Sequence, residues 1–89
     1  MYTYELRKSF EKKFFKLAKK NPSQLRSIAK KIEEIIACKD INHYKNLRKP
    51  LSHLKRVHID SSFVLVFCVN NHTKHIIFED FDYHDNIYL

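Results

Sequence analysis

The sequence predicts an α+β fold in the element order β-α-α-β-β-β, a helical hairpin packed on one face of a four-stranded, largely antiparallel sheet. Three observations predict it. Two stretches in the N-terminal half carry apolar residues at the 3.6-residue period of a helix. Three stretches in the C-terminal half carry the two-residue alternation, or the unbroken apolar run, of strands. A short alternating segment precedes the helices, so a first strand joins the later three only after the helical excursion.

Each element has its own signature. From Tyr2 to Arg7, the apolar or aromatic Tyr2, Tyr4 and Leu6 alternate with Thr3, Glu5 and Arg7, as in a strand with one buried face. Ser9 is the expected N-cap of the first helix, because its hydroxyl can accept from an orphan helix N–H. Phe10, Phe14, Leu17 and Ala18 then recur at helical spacing, with Phe15 widening the stripe, and Lys19 and Lys20 suit the C-terminal end of the dipole. Asn21 as N-cap and Pro22 at the first helical position stop that helix and start another. Leu25, Ile28, Ala29, Ile32, Ile35 and Ile36 form the apolar stripe of the second helix.

A connecting segment follows from Asp40 to Ser52, anchored by Tyr44, Leu47 and Leu51 and basic through Lys45, Arg48 and Lys49. Leu54 to Ile59 is the next strand, on which Val57 and Ile59 alternate with Arg56, His58 and Asp60. Asp60-Ser61-Ser62 is a turn, and Phe63 to Val69 an almost wholly apolar strand. After a second turn at Asn70-Asn71-His72, Lys74 to Phe81 makes the last strand, with Ile77 on one side and Ile76 and Phe78 on the other. Asp82 to Leu89 is a short tail or one helical turn, and the sheet face away from the helices is expected to be open.

Composition bounds the function. Eighty-nine residues make a single domain, 1–89, large enough for one modest core. Hydrophobic residues at 44% and aromatics at 13% exclude a disordered tail. No apolar run approaches the roughly 20 residues that span a bilayer. The first residues lack the charged and apolar regions of a secretory signal, so a cytoplasmic protein with no membrane partner is expected. Cys38 and Cys68 lie far apart and read as two buried free thiols. The chain has no glycine, so its turns must be built from Asn, Asp, Ser, Pro or His. A net charge of +7 favours a polyanionic partner: nucleic acid, the ribosome or an acidic protein.

The side chains expected to converge on the open sheet face are Lys49 from the connector, Lys55, Arg56 and His58 from the second strand, and His84 and Tyr88 from the C-terminus. Arg48 and Lys45 extend the basic connector beside them. Together they form a set that can cleave RNA without a metal or other cofactor. Attack of a ribose 2′-OH on the adjacent phosphate needs a base, an acid for the departing 5′-oxygen, and cations for the phosphorane. His58 and His84 suit the first two roles, since imidazole ordinarily titrates near 6.5. Arg56 and the lysines suit the third, and Tyr88 can stack on a splayed base or support the acid. Asp80, Asp82 and Asp85 lie near His84, but no HxH or HxxxH pair completes a metal cluster. Glycine-rich phosphate loops, a Ser-His-Asp set and paired carboxylates are not identifiable.

Three stretches in their order resemble the RelE/ParE superfamily of type II toxin–antitoxin toxins over essentially the whole chain. The first is the opening strand running into Ser9-Phe10-Glu11-Lys12-Lys13-Phe14. The second is Asn46-Leu47-Arg48-Lys49-Pro50-Leu51 with Leu54-Lys55-Arg56-Val57-His58-Ile59 and the apolar strand, and the third is Tyr83-His84-Asp85-Asn86-Ile87-Tyr88. Two arginines of the commonest RelE pattern fall at Phe63 and His84. The sequence looks closer to the YafQ-like branch, whose site histidines match His58 and His84, while another of its histidines falls at Lys49 and an aspartate at Ser62.

The resemblance implies a ribosome-dependent mRNA endoribonuclease that needs no metal and arrests translation. It implies a cognate RelB-like antitoxin as partner, with operator DNA met only through the toxin–antitoxin complex. The alternatives it leaves open are a ParE-like inhibitor of DNA gyrase that acts by binding, and an inactive relic that only binds an antitoxin.

Overall fold

Helices α1 (Lys8–Lys20) and α2 (Pro22–Ile36) meet at Asn21, whose side-chain oxygen accepts from the Gln24 amide at 3.1 Å. Pro22 fills the first helical position, where its missing N–H costs nothing. In the computed structural model, which describes residues 2–87, the remaining elements are β1 (Thr3–Leu6), a 3-10 turn (Ile41–His43), β2 (Lys55–His58), β3 (Phe63–Asn70), β4 (His75–Tyr83) and α3 (His84–Ile87). The C-terminal segment is thus one helical turn as far as Ile87.

The start of α1 differs from the sequence expectation. Arg7, not Ser9, is the N-cap, with no side-chain bond. The Arg7 amide donates to the Phe78 carbonyl at 3.1 Å while its own carbonyl accepts from Glu11 at 2.9 Å. Pairing of β1 to β4 therefore fixes where the helix begins, two residues ahead of the serine. Phe15 and Ala18 also differ: both are exposed, Phe15 by 68%. Phe10, Phe14 and Leu17 already occupy the sheet-facing stripe, and Phe15 lies about 100° further round the helix.

The sheet order is β1-β4-β3-β2, with β1 parallel to β4 and the other pairs antiparallel. Against its inner face pack Phe10 of α1, Ile28, Ile32 and Ile35 of α2, and Ile41, which meet Leu65, Phe67, Ile76, Phe78 and Phe81. Each fully buried Phe or Ile here stabilises the fold by roughly 1.5–3 kcal/mol relative to exposure. A bulge opposite Val66 and Phe67 brings Val66 to Asp80 and Phe67 to Phe78, leaving Glu79 as the extra residue, and β4 continues to Tyr83.

The outer face is less open than expected. Leu47, Val64 and Val66 are buried there in a second apolar cluster with Leu54 and Ile87. The connector folds back along β2, with Leu47 N donating to Leu54 O and Arg56 N to Lys45 O, both at 2.9 Å. It and α3 roof one half of the face and turn a flat surface into a cleft.

Asx side chains build the turns in place of glycine. Asp60 Oδ1 accepts from the Ser62 and Phe63 amides, both at 2.9 Å, and these bonds hold its carboxyl below the usual range. Asn70 Oδ1 accepts from His72 and Thr73, and Lys74 adopts the left-handed conformation with φ 55°. Cys38 and Cys68 are free, as expected, but half-buried rather than buried. Among the described residues, no helix is long and apolar enough to cross a membrane.

Candidate active site

Strand β2 sets the site. Arg56 lies opposite Val66 and His58 opposite Val64, so both side chains project from the outer face, while Val57 opposite Leu65 packs into the main core. The two-residue period alone decides this separation. His84, the first residue of α3, comes to the same place from the other end of the sheet. Its amide donates to Ser62 O at 2.6 Å, tying α3 to the turn that follows β2. The His58 and His84 rings then stack, with centroids 5.8 Å apart and planes 21° from parallel.

Beside this pair lies a cleft of about 490 Å³, walled by the connector from Asn46 to Leu51 and by Arg56, His58, His84 and Ile87. Arg48, Lys49 and Arg56 supply three cations, and no Asp or Glu is among the described residues lining it. Low-dielectric walls from Leu47, Pro50, Leu51 and Ile87 strengthen the field those cations make. The structure therefore gathers His58, His84, Arg56, Lys49 and Arg48 into one cavity.

The other predicted residues are placed differently. Lys55 shares the parity of Val57, and its Nζ donates to Tyr44 O and Asn46 Oδ1, each at 3.1 Å. That ammonium fastens the connector to β2 instead of lining the cleft. Lys45 is exposed outside the lining, and Tyr88 lies outside the described residues.

Sequence reasoning missed what holds His84 in place. Asp82 Oδ1 accepts from the Tyr83 amide at 2.7 Å and from Asn86 Nδ2 at 2.9 Å, bracing α3. Its other oxygen accepts from Lys13 Nζ of α1 at 3.0 Å, and Lys13 also reaches Asp80 Oδ1 at 2.7 Å and Phe81 O at 2.9 Å. β1 pairs only as far as Phe78, so Lys13 covers the part of the β4 edge beyond it. Burial pulls the Asp82 carboxyl upward, but the bonds from Asn86, Lys13 and the Tyr83 amide outweigh it and hold the group below the usual carboxylate range. Burial likewise pulls Lys13 down, and its two carboxylate partners raise it above the ordinary lysine value. Asp80 and Asp82, whose position near His84 suggested a loose metal cluster, thus hold a lysine. A helical stripe reveals no such role for Lys13, which sits 69 residues from Asp82.

Chemically, the arrangement can place a phosphate among Arg48, Lys49 and Arg56 with two adjacent imidazoles beside it. That is the requirement for transferring one proton from a nucleophile and another to a leaving group.

No protein-family model matches the chain. The chain is 53% identical over 88 residues to "Putative toxin RelE4" of Methanocaldococcus jannaschii, an alignment covering 99% of this chain and 92% of the relative. Among solved structures it superposes on a chain of the E. coli DinJ–YafQ complex with TM-score 0.74 and 16% identity, covering 100% of both chains. It also superposes on the isolated E. coli RelE toxin with TM-score 0.72 and 17% identity, covering 93% of this chain and 84% of that one. At those identities the structural matches show a shared fold.

Proposed function

Because this chain belongs to the RelE/ParE superfamily of toxins, by its 53% identity to a RelE-named relative over nearly its whole length, we propose that it cleaves messenger RNA on the ribosome and thereby arrests translation. One observation carries this reading: the stacked His58–His84 pair at the mouth of a cleft lined by Arg48, Lys49 and Arg56. One imidazole takes the proton of a ribose 2′-OH as it attacks the adjacent phosphate. The other protonates the departing 5′-oxygen, leaving a 2′,3′-cyclic phosphate and a 5′-hydroxyl. Arg56, Lys49 and Arg48 stabilise the added negative charge on the phosphorane. Tyr88 belongs to this proposal as a stacking or acid-supporting group, and Lys45 and Lys55 as basic residues at the border of the site. The reaction as written uses side chains alone. The ribosome would hold the message in line, so a small catalytic set suffices.

The proposed partner is an antitoxin protein that neutralises the toxin in the cytoplasm, with operator DNA contacted only through that complex. The neighbouring fold in the DinJ–YafQ complex supports such a partner.

Expression in cells without a partner protein tests the reading. Growth arrest with transcripts cut only when translated is the expected result, and His58→Ala and His84→Ala should each abolish both. DNA breaks with intact transcripts would replace it with gyrase inhibition by binding. Absence of toxicity would leave an inactive antitoxin-binding scaffold.

A further inference from the structure

The junction of β1 and β4 on the outer face contains more than an ion pair. Thr3 Oγ1 lies 2.7 Å from His75 Nδ1, and His75 Nε2 lies 2.9 Å from Glu5 Oε1. The parallel register sets Thr3 beside His75, and the two-residue period of a strand puts Glu5 on the same face. A hydroxyl, an imidazole and a carboxylate are thus joined in series, on the half of the sheet away from His58 and His84. We propose that Thr3 is a nucleophile activated by this series, and that it accepts an acyl group from an activated ester or thioester.

The hydrogen bonds set the direction of proton flow. An ionised carboxylate only accepts, so Nε2 of a neutral His75 carries the proton that points to Glu5. Nδ1 then holds the lone pair, and the Thr3 hydroxyl donates to it. The hydroxyl's other acceptor, Lys74 O, is 3.4 Å away and competes poorly. This is the polarity of a nucleophile, a base and the group that orients the base. Reagents can reach it: Thr3 is exposed, and the His75 and Glu5 side chains are 30% and 56% exposed. β1 is an edge strand whose Thr3 and Arg7 amides donate to carbonyls beside β4, so the Tyr4 amide, out of step with both, points to the open edge. That N–H, one residue past the nucleophile, is placed to donate to the oxyanion of a tetrahedral intermediate.

In the step itself, Thr3 Oγ1 bonds to the acyl carbon while its proton passes to His75 Nδ1. Glu5 holds the imidazolium that forms. The bond from the acyl carbon to the leaving oxygen or sulfur then breaks, taking its electron pair. That atom receives the proton from His75, and an ester remains on Thr3.

Acylation of the whole chain with p-nitrophenyl acetate, quenched in acid and read by peptide mass spectrometry, tests the proposal. An acetyl group should appear on Thr3, be removed by hydroxylamine as an ester is, and form about a hundredfold faster than on Thr73, the chain's other threonine. Thr3→Val should abolish this adduct, and Thr3→Ser, which keeps the hydroxyl, should retain it. His75→Gln should slow it by about a hundredfold, and Glu5→Gln, which leaves the base in place, by about tenfold. Message cleavage should be unchanged in all four variants, which keeps this proposal independent of the nuclease reading and reports that the fold is intact. Acetyl groups confined to lysines, a Thr3 adduct no faster than that on Thr73, or one that forms as fast in His75→Gln would overturn it and leave the series a structural tie.

Discussion

The outer face of one sheet carries two arginine–histidine sets, and they have different fates. On the β1–β4 half, Arg7 binds Glu79 through two nitrogens at 3.0 and 3.2 Å. His75 there reaches Glu5 Oε1 at 2.9 Å through Nε2 and Thr3 Oγ1 at 2.7 Å through Nδ1. On the β2 half, Arg56 and His58 line a cleft whose described walls include two further cations, a second imidazole and no carboxylate. Residue type on a strand face is therefore a poor guide to chemistry. What matters is the neighbour across the sheet: carboxylates turn the first set into cross-strand ties, and a basic connector turns the second into an anion site.

The largest effects should separate the halves most sharply. His58→Ala or His84→Ala should slow message cleavage by about 10²–10⁴-fold, the range for loss of a general acid or base, whereas His75→Ala should leave the rate unchanged. Next, Arg56→Ala or Lys49→Ala should cost about tenfold to a hundredfold in cleavage rate at saturating message, while Arg7→Ala should alter only stability. A rate loss in Arg7→Ala as large as that in Arg56→Ala would erase the distinction.

A middle-sized effect tests the brace that joins α1 to the site. Asp82→Asn keeps the shape but removes the charge that holds Lys13, and should cost about 1 kcal/mol of stability as well as part of the cleavage rate through a looser α3. The pH dependence has a definite sign. The Asp82 carboxyl titrates lower in the folded chain than its ordinary 3.8, so its contribution is present above that value and lost as pH falls through the lower folded value. Lys13 titrates above its ordinary 10.5 when folded, so its contribution is present below that value and lost as pH rises through the higher folded one. Urea denaturation should show a constant gap between unsubstituted protein and Asp82→Asn from pH 5 to 9, closing below about pH 4. The smallest effect lies in the β3–β4 turn: Lys74→Gly should raise stability by about 1 kcal/mol by relieving the left-handed backbone, with no change in cleavage.

Much of this was legible in the chain itself. Asn21-Pro22 marked the helix boundary, the α2 stripe gave Ile28, Ile32 and Ile35, and alternation placed Arg56 and His58 together on one face. Local signals failed where a distant partner decided the outcome. Ser9 had the right chemistry for a cap, but β1 pairing started the helix earlier. Lys55 looked interchangeable with Arg56 by charge, yet one step along a strand reverses the face. Glu79 and Glu5 gave no hint that they would occupy Arg7 and His75, since those contacts span about 70 residues and depend on the parallel β1–β4 register. The outer apolar cluster was hidden for the same reason, because Leu47 and Ile87 meet Val64 and Val66 only in three dimensions.

Single-turnover cleavage of a message on programmed ribosomes by purified protein tests the central claim most directly, with the ends of the products identified. The account predicts a 2′,3′-cyclic phosphate on the upstream fragment, a 5′-hydroxyl on the downstream one, and loss of both fragments in His58→Ala and in His84→Ala but not in His75→Ala. Cleavage that persists in the His58 and His84 variants, or fails equally in the His75 variant, would contradict it.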